Sequence, residues 1–194
     1  MCGRFALTLP PDAVAGWFDA VHVKASFEPR YNICPTTDIP VAVNYEGERH
    51  LVPMRWGFIP KWYKSPSDGP MLINARAETI AEKPAFRSAV QTRRCLIPAD
   101  GFYEWHREKG KGKEPWYIYP NEGELMAFAG IWQVWKGPDG ARSVTCAMVT
   151  TAAGEDLAQV HHREPVTIKP DDFGLWLGEE GKGAASLMHA ADPA

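Results

Sequence analysis

The chain has 194 residues, 45% of them apolar and 23% charged, which is enough for one buried core and excludes wholesale disorder. Its formal net charge of −3 speaks, as a total, against a nucleic-acid partner. The distribution speaks for one. Between Arg55 and Arg94 stand eight basic residues (Arg55, Lys61, Lys64, Arg76, Lys83, Arg87, Arg93, Arg94) and three acidic ones (Asp68, Glu78, Glu82), so this window carries +5 and the remainder −8. Such segregation makes either a local anion-binding face or an ordinary solvated surface. The four cysteines, Cys2, Cys34, Cys95 and Cys146, include no CxxC pair, which excludes a zinc ribbon and predicts free thiols in a reducing compartment. The start, MCGRFALTLPP, is too short an apolar run for a signal peptide, and no stretch is long enough to span a bilayer. A cytoplasmic protein with no membrane partner is expected.

In chain order, FALTL after Arg4 reads as a strand, and Pro10-Pro11-Asp12 opens a short amphipathic helix over residues 10–21, with Val14, Trp17, Phe18 and Val21 on one face. A polar stretch runs to about Thr37. Residues 40–45 and 50–58 read as paired strands turning at Glu46-Gly47-Glu48. Residues 60–70, with three Pro, one Gly, Trp62, Tyr63 and two Lys, read as a loop. Residues 71–75 read as a strand ending at Asn74, and 78–90 as irregular helix broken by Pro84. Further strands are predicted at 94–98, 101–105, 116–119, 125–135 and 142–150, with an exposed hairpin tip at HREKGKGKE (106–114). Short helices are predicted near 154–160, 171–177 and 183–190. Strands in the middle and helices at the ends predict an α+β fold: a mostly antiparallel, barrel-like β core flanked by short helices, in a single domain over 1–194.

Cys2 is the first candidate for chemistry. A small residue at position 2 normally permits removal of the initiator Met, leaving a thiol of pKa about 8.5 and an α-amine of about 7.7–8 on adjacent carbons. Such an amine is substantially unprotonated at neutral pH, so it forms a Schiff base with a carbonyl, and the thiol can close onto the imine as a thiazolidine. Otherwise Cys2 is an accidental residue at a frayed end. Gly3 permits close approach, and Arg4 presents a donor fork to phosphate or is an ordinary surface charge. In INARAET, Asn74 holds the terminal amine or a DNA oxygen, or else stabilises a turn, and Arg76 suits phosphate. Glu104, in ADGFYEW, shares a face with Phe102; facing inward, it would have a raised pKa and shuttle protons, and facing outward it would be solvated. His161 and His162 form a pair whose adjacent side chains are expected to splay apart, with no third ligand at a telling spacing. One of them as acid/base is the more economical reading, and no metal is expected. Trp62 and Tyr63, between Lys61 and Lys64, have the composition of a base-stacking platform, although a core is the commoner place for Trp.

Together and in this order, MCGRF (1–5), RYNICPT (30–36), RWGFIPKW (55–62), NARAET (74–79), CLIPADGFYEW (95–105), FAGIW (128–132), VTTAA (149–153) and VHHREPV (160–166) resemble the SRAP family, named from SOS response-associated peptidase. The resemblance covers about residues 1–177. It implies a sensor of abasic sites in single-stranded DNA that forms a covalent DNA–protein crosslink and shields the lesion, built as a β core with a basic groove. It makes Cys2 the nucleophile, gives Asn74 the positioning of the amine and the opened sugar, and assigns proton transfer to Glu104 and His161. Arg4, Trp62, Arg76 and Thr150 would line the DNA path. It implies no cofactor, and the chain is expected to act as a monomer, nucleoid-associated when on DNA. Three departures stand out. The end, GAASLMHAADPA, replaces the family's usual PVS-like segment. Tyr63 stands where a second Trp is common. Glu164 stands where Arg or Met is usual, and would lower the positive charge near the site. Two rivals remain: a thiol (auto)peptidase built on Cys2, His161 and Asn74, and a non-catalytic single-strand reader using Arg4, Arg76 and Trp62.

Overall fold

The computed structural model describes residues 2–24, 26–107, 112–120 and 124–191. The amino-terminal strand β1 spans Arg4–Leu7 and is followed by helix α1, Pro11–Trp17. The helix is shorter than its apolar spacing predicts. Val14 and Phe18 are buried, but Asp19 takes a left-handed φ of 54°, ending the helix, and Val21 is 62% exposed. The polar stretch after it holds two strands that its composition hides, β2 (His22–Val23) and β3 (Arg30–Ile33). Then β4 (Asp38–Tyr45) and β5 (Glu48–Trp56) form the predicted hairpin. Its two turn residues, Glu46 and Gly47, have φ of 56° and 85°, the double left-handed geometry that matches strand twist, and the Gly47 N–H donates to Asn44 Oδ1 at 3.0 Å.

Strand β6 spans Asn74–Arg76, so it begins where the sequence predicts it to end; Leu72 makes only an isolated bridge to Phe58. The shift arises because β6 runs parallel to a strand whose paired residues lie 74 positions later, a pairing that local alternation does not encode. The helix expected over 78–90 is turns followed by α2, Arg87–Thr92. Strands β7 (Arg94–Ala99), β8 (Gly101–Arg107), β9 (Lys113–Ile118), β10 (Met126–Lys136) and β11 (Arg142–Ala152) follow the predicted order. The chain continues through α3 (Glu155–Ala158), β12 (Arg163–Pro165) and α4 (Phe173–Leu177). The last expected helix is a single 3-10 turn, Ala184–Leu187. Part of the expected hairpin tip, residues 108–111, lies outside the described residues. No helix among them is long and apolar enough to cross a membrane.

The class is α+β, as expected. One sheet runs β12-β11-β10-β7-β4-β5-β2, and a parallel pairing of β5 with β11 (Thr145↔Arg55, Cys146↔Trp56) closes β11-β10-β7-β4-β5 into a five-stranded barrel. Where β5 leaves β11, β6 takes over the same edge, with Met148↔Asn74 and Thr150↔Arg76. The second sheet has the order β3-β1-β8-β9. Gly130, in the middle of β10, is required by close packing: a Cβ there would lie 2.7 Å from Cys95 Sγ.

Aromatic rings join the two sheets. Phe5 of β1 meets Trp56 edge-on at 5.3 Å and Phe128 at 6.2 Å, and Phe102 of β8 meets Phe128 at 5.8 Å. All four rings are buried. On the far side, α4 inserts Trp176, whose Nε1–H donates to Cys95 O at 2.8 Å. Removing the Phe128 ring (Phe128→Ala) is expected to cost about 3–5 kcal/mol of stability through lost burial and a residual cavity. The check is a lowered urea midpoint with an unchanged denaturant slope; an unchanged midpoint would show that the sheets do not depend on this ring.

Candidate active site

Strand β1 is paired on both edges, Arg4↔Tyr103 and Phe5↔Phe102 toward β8 and Phe5↔Ile33 toward β3, so the chain's first residues cannot fray. Cys2, two residues upstream of Arg4, is 0% exposed. Its carbonyl accepts from Asn74 Nδ2 at 3.0 Å, and its Sγ lies 3.9 Å from Arg4 O. Burial raises the thiol pKa far above its usual value, and the Glu104 carboxylate nearby raises it further. The sulfur is therefore held protonated. Asn74 Oδ1, the other half of the amide, is buried and has no hydrogen-bond partner among the described residues. Asn74 and Arg76 share one face of β6 while Ala75, between them, is 0% exposed on the other.

Glu104 occupies β8, the strand next to β1. Alternation puts Phe102 and Glu104 inward at 1% and 3% exposure, with Tyr103 and Trp105 on the outer face. Glu104 Oε1 lies 3.9 Å from His161 Nδ1. His161 follows α3, its N–H donating to Leu157 O at 2.9 Å. His161 Nδ1 lies 3.0 Å from both the backbone N–H and the carbonyl oxygen of Arg163, so the ring is held by that one residue's backbone. The two histidines do not splay apart as expected. The tight turn brings their rings to 4.3 Å with an interplanar angle of 33°, and His161 beside it lowers the His162 pKa.

A cleft of about 730 Å³ lies beside these groups, lined by Arg76, Glu104, Trp105, His106, Lys113 and the segment 158–162, while Cys2 and Asn74 sit behind its wall rather than in it. The structure thus brings Cys2, Asn74, Glu104, His161 and Arg76 to one place. The other expected residues fall elsewhere. Arg4 donates to Asn32 Oδ1 at 3.0 Å and is not part of the cleft wall. Trp62 is 59% exposed on the loop after Ile59, which is anchored by Trp135 Nε1 donating to Tyr63 O at 2.8 Å; it too lies outside the cleft wall. Thr150 is 1% exposed and does not line a surface path, because its Oγ1 and carbonyl both accept from Arg163. Glu164 does not lower the charge of the cleft: it is 3% exposed and accepts from two backbone N–H groups on the other side of α3.

Sequence reasoning missed the pairing of Arg163 with Glu78. The guanidinium meets the carboxylate in a two-pronged contact, at 2.6 and 3.0 Å, and the same Glu78 accepts from Ala152 N–H at 3.1 Å. The Arg163 hydrogen bonds hold the Glu78 carboxyl at a pKa of about 2. Both residues stand in family-like motifs, but only β11 running between β6 and β12 makes them neighbours. All four cysteines are free thiols. Among the described residues no three His, Cys, Asp or Glu side chains are grouped to hold a metal ion.

A β barrel joined to a second sheet buries Cys2 beside Asn74 and Glu104, with His161 next to that carboxylate. The model of the SOS response associated peptidase (SRAP) family matches residues 1–194, and the chain belongs to that family. It is 41% identical to the abasic site processing protein YoaM of Bacillus subtilis, over 91% of this chain and 79% of that one. It is 33% identical to the abasic site processing protein YedK of Escherichia coli, over 96% and 85%. A crystal structure of a protein from Bacteroides thetaiotaomicron superimposes with a TM-score of 0.88 at 26% identity, covering 98% of this chain and 88% of that one.

The Glu78–Arg163 pair gives an acid-stability signature. Because the Glu78 pKa falls from 4.5 to about 2 on folding, its contribution is full above 4.5 and is lost as pH falls through 2. With Glu78 47% exposed, solvent screening limits that contribution to about 1 kcal/mol. The melting-temperature gap between wild type and Glu78→Gln is expected to be constant near neutrality and to close between pH 4.5 and 2. A gap unchanged across that range would show that the pair does not link to protons.

Proposed function

We propose that this protein processes abasic sites in single-stranded DNA by bonding covalently to them through Cys2 after removal of Met1. The reading is supported by the relatives named as abasic site processing proteins, and above all by Cys2 itself, which is buried, bonded to Asn74 and close enough to Glu104 to feel its charge, with His161 3.9 Å beyond that carboxylate. The protein acts as one unit over 1–194 and as a monomer, with the lesion-bearing strand as its partner and no cofactor.

The freed α-amine adds to the C1′ aldehyde of the opened sugar, the aldehyde oxygen takes up a proton, and loss of water leaves an imine. The thiol then adds across the C=N bond: sulfur bonds to C1′, and its proton passes to nitrogen. One water leaves overall and nothing is oxidised or reduced. A buried sulfur held protonated makes the amine the first nucleophile, and Glu104, the carboxylate that acts on this thiol, takes the Sγ proton and returns it to nitrogen. His161, held at Nδ1 by the Arg163 backbone, supplies a ring proton to the departing hydroxyl. Asn74 Oδ1 receives the α-amine, while Nδ2 keeps the Cys2 carbonyl. Arg76 and Arg4 bind phosphate, and Trp62 stacks a base beyond the cleft. The peptidase reading draws no support from this geometry, since Asn74 bonds to the Cys2 backbone rather than orienting His161.

A single-stranded oligonucleotide with one abasic site is expected to give a band that survives denaturing electrophoresis. Cys2→Ala, undamaged DNA and a protein retaining Met1 should give none. Binding without any covalent band would favour the reader, and thiol-dependent peptide cleavage that needs no free amine would favour the peptidase. Encounter with DNA is expected to weaken as salt rises, and Arg76→Ala should flatten the log–log slope by about 0.7, the counterion release of one phosphate contact. A slope unaffected by Arg76→Ala would remove that residue from the DNA path.

A further inference from the structure

The segment between β11 and β12 carries His161 and His162 but has little apolar packing of its own. Its one helical element, α3, is four residues long and contributes no buried residue. So short a helix does not persist unaided. Backbone bonds from Ala158 N to Gly154 O (2.9 Å) and from Ala153 N to His162 O (3.1 Å) close the loop on itself. Leu157 packs against the core and His161 against Arg163, and the start of the segment is fixed from outside by Glu164, in the middle of β12. One carboxylate oxygen accepts the Gly154 N–H at 3.0 Å and the other the Ala191 N–H at 2.8 Å.

The same carboxylate thus ties the start of α3 to the chain's last described residue. The tail lies directly over that start: a Cβ built at Gly154 would be 3.6 Å from Ala190 Cβ and 3.7 Å from Ala191 O. Upstream, Ala184, Leu187 and Met188 pack against the core. Leu157, which anchors His161 through its carbonyl, lines a cavity of about 520 Å³ together with Glu164 and Ala191. An aliphatic or basic side chain at position 164 would lack an oxygen to accept either N–H. This chain combines an accepting residue there with a tail that reaches it.

We infer that Glu164 and the segment Ala184–Ala191 form a latch that sets the position of α3, and through it His161, making Glu164 a positioning residue for proton transfer. The inference rests on the role given to His161 in the proposed crosslinking reaction. Glu164 touches neither Cys2 nor the cleft. Its effect reaches the chemistry through the Gly154 N–H, the single turn of α3 and the Leu157–His161 hydrogen bond.

The test compares wild type, Glu164→Gln, a chain truncated after His189, and the two changes combined. Gln retains one acceptor oxygen and so can keep only one of the two N–H groups. In the DNA-free proteins, amide hydrogen exchange over residues 155–162 is expected to rise about tenfold in each single variant, with exchange in β7 and β10 unchanged. With an abasic single-stranded oligonucleotide, the maximal single-turnover crosslinking rate should fall about tenfold while the half-saturating DNA concentration stays as in wild type. The double variant should be no worse than the worse single one, since both changes open the same latch. Unchanged exchange over 155–162, additive losses, or a change confined to the half-saturating concentration would each overturn the latch. If Glu164→Gln fails to fold, the truncated chain decides alone by the same measurements. A wild-type protein that forms no crosslink at all would overturn the proposed function, and the exchange comparison would still decide the latch.

Discussion

The architecture depends on β1 being an interior strand of its sheet. A chain terminus is ordinarily the least ordered part of a domain, since it has neighbours on one side only. Here β3 and β8 pair with both edges of β1, and the Phe5 ring sits between Trp56 and Phe128 of the barrel. The position of Cys2 is therefore set by the core. Other elements are placed relative to that strand: β8 is its direct neighbour and delivers Glu104, and β6, lying parallel along β11, delivers Asn74 to the Cys2 carbonyl. Two sheets packed through four rings bring the terminus, the amide and the carboxylate together without a long loop.

The electrostatics follow from that burial. Arg163 has its fork filled by Glu78 and Thr150, and its backbone holds the His161 ring. Arg76 and Lys113 are left on the cleft wall, so a protein of net charge −3 still presents cationic side chains there. The same low-polarity surroundings keep the Cys2 sulfur protonated. In the proposed reaction this burial, rather than an activated thiolate, decides that nitrogen reacts before sulfur.

What the sequence made legible was local and periodic. The β4–β5 turn carries its own backbone chemistry in Glu46-Gly47, and the alternation in β8 separates Phe102 and Glu104 from Tyr103 and Trp105. The strand order from β7 to β11 follows from apolar runs punctuated by turns. What stayed hidden was set by pairing between distant segments. β2 and β3 have too little apolar content to announce themselves, and β6 is a strand only because β11 offers it an edge. The expected place of Thr150 on a DNA path failed for the same reason, because its motif cannot reveal that Arg163 would cover it. Glu164, expected to lower the positive charge near the site, has one of its partners 27 positions later in the tail, a pairing its own motif does not encode.

The four thiols differ sharply in accessibility. Cys2, Cys95 and Cys146 are buried, whereas Cys34 is partly exposed near the end of β3, its sulfur 3.6 Å from the carbonyl of Asn32, the residue that also holds Arg4. Alkylating reagents will therefore titrate Cys34 before the terminal sulfur. Reaction with maleimides or iodoacetamide would first report disturbance of the Arg4 neighbourhood, so labelling stoichiometry is a poor proxy for the state of Cys2.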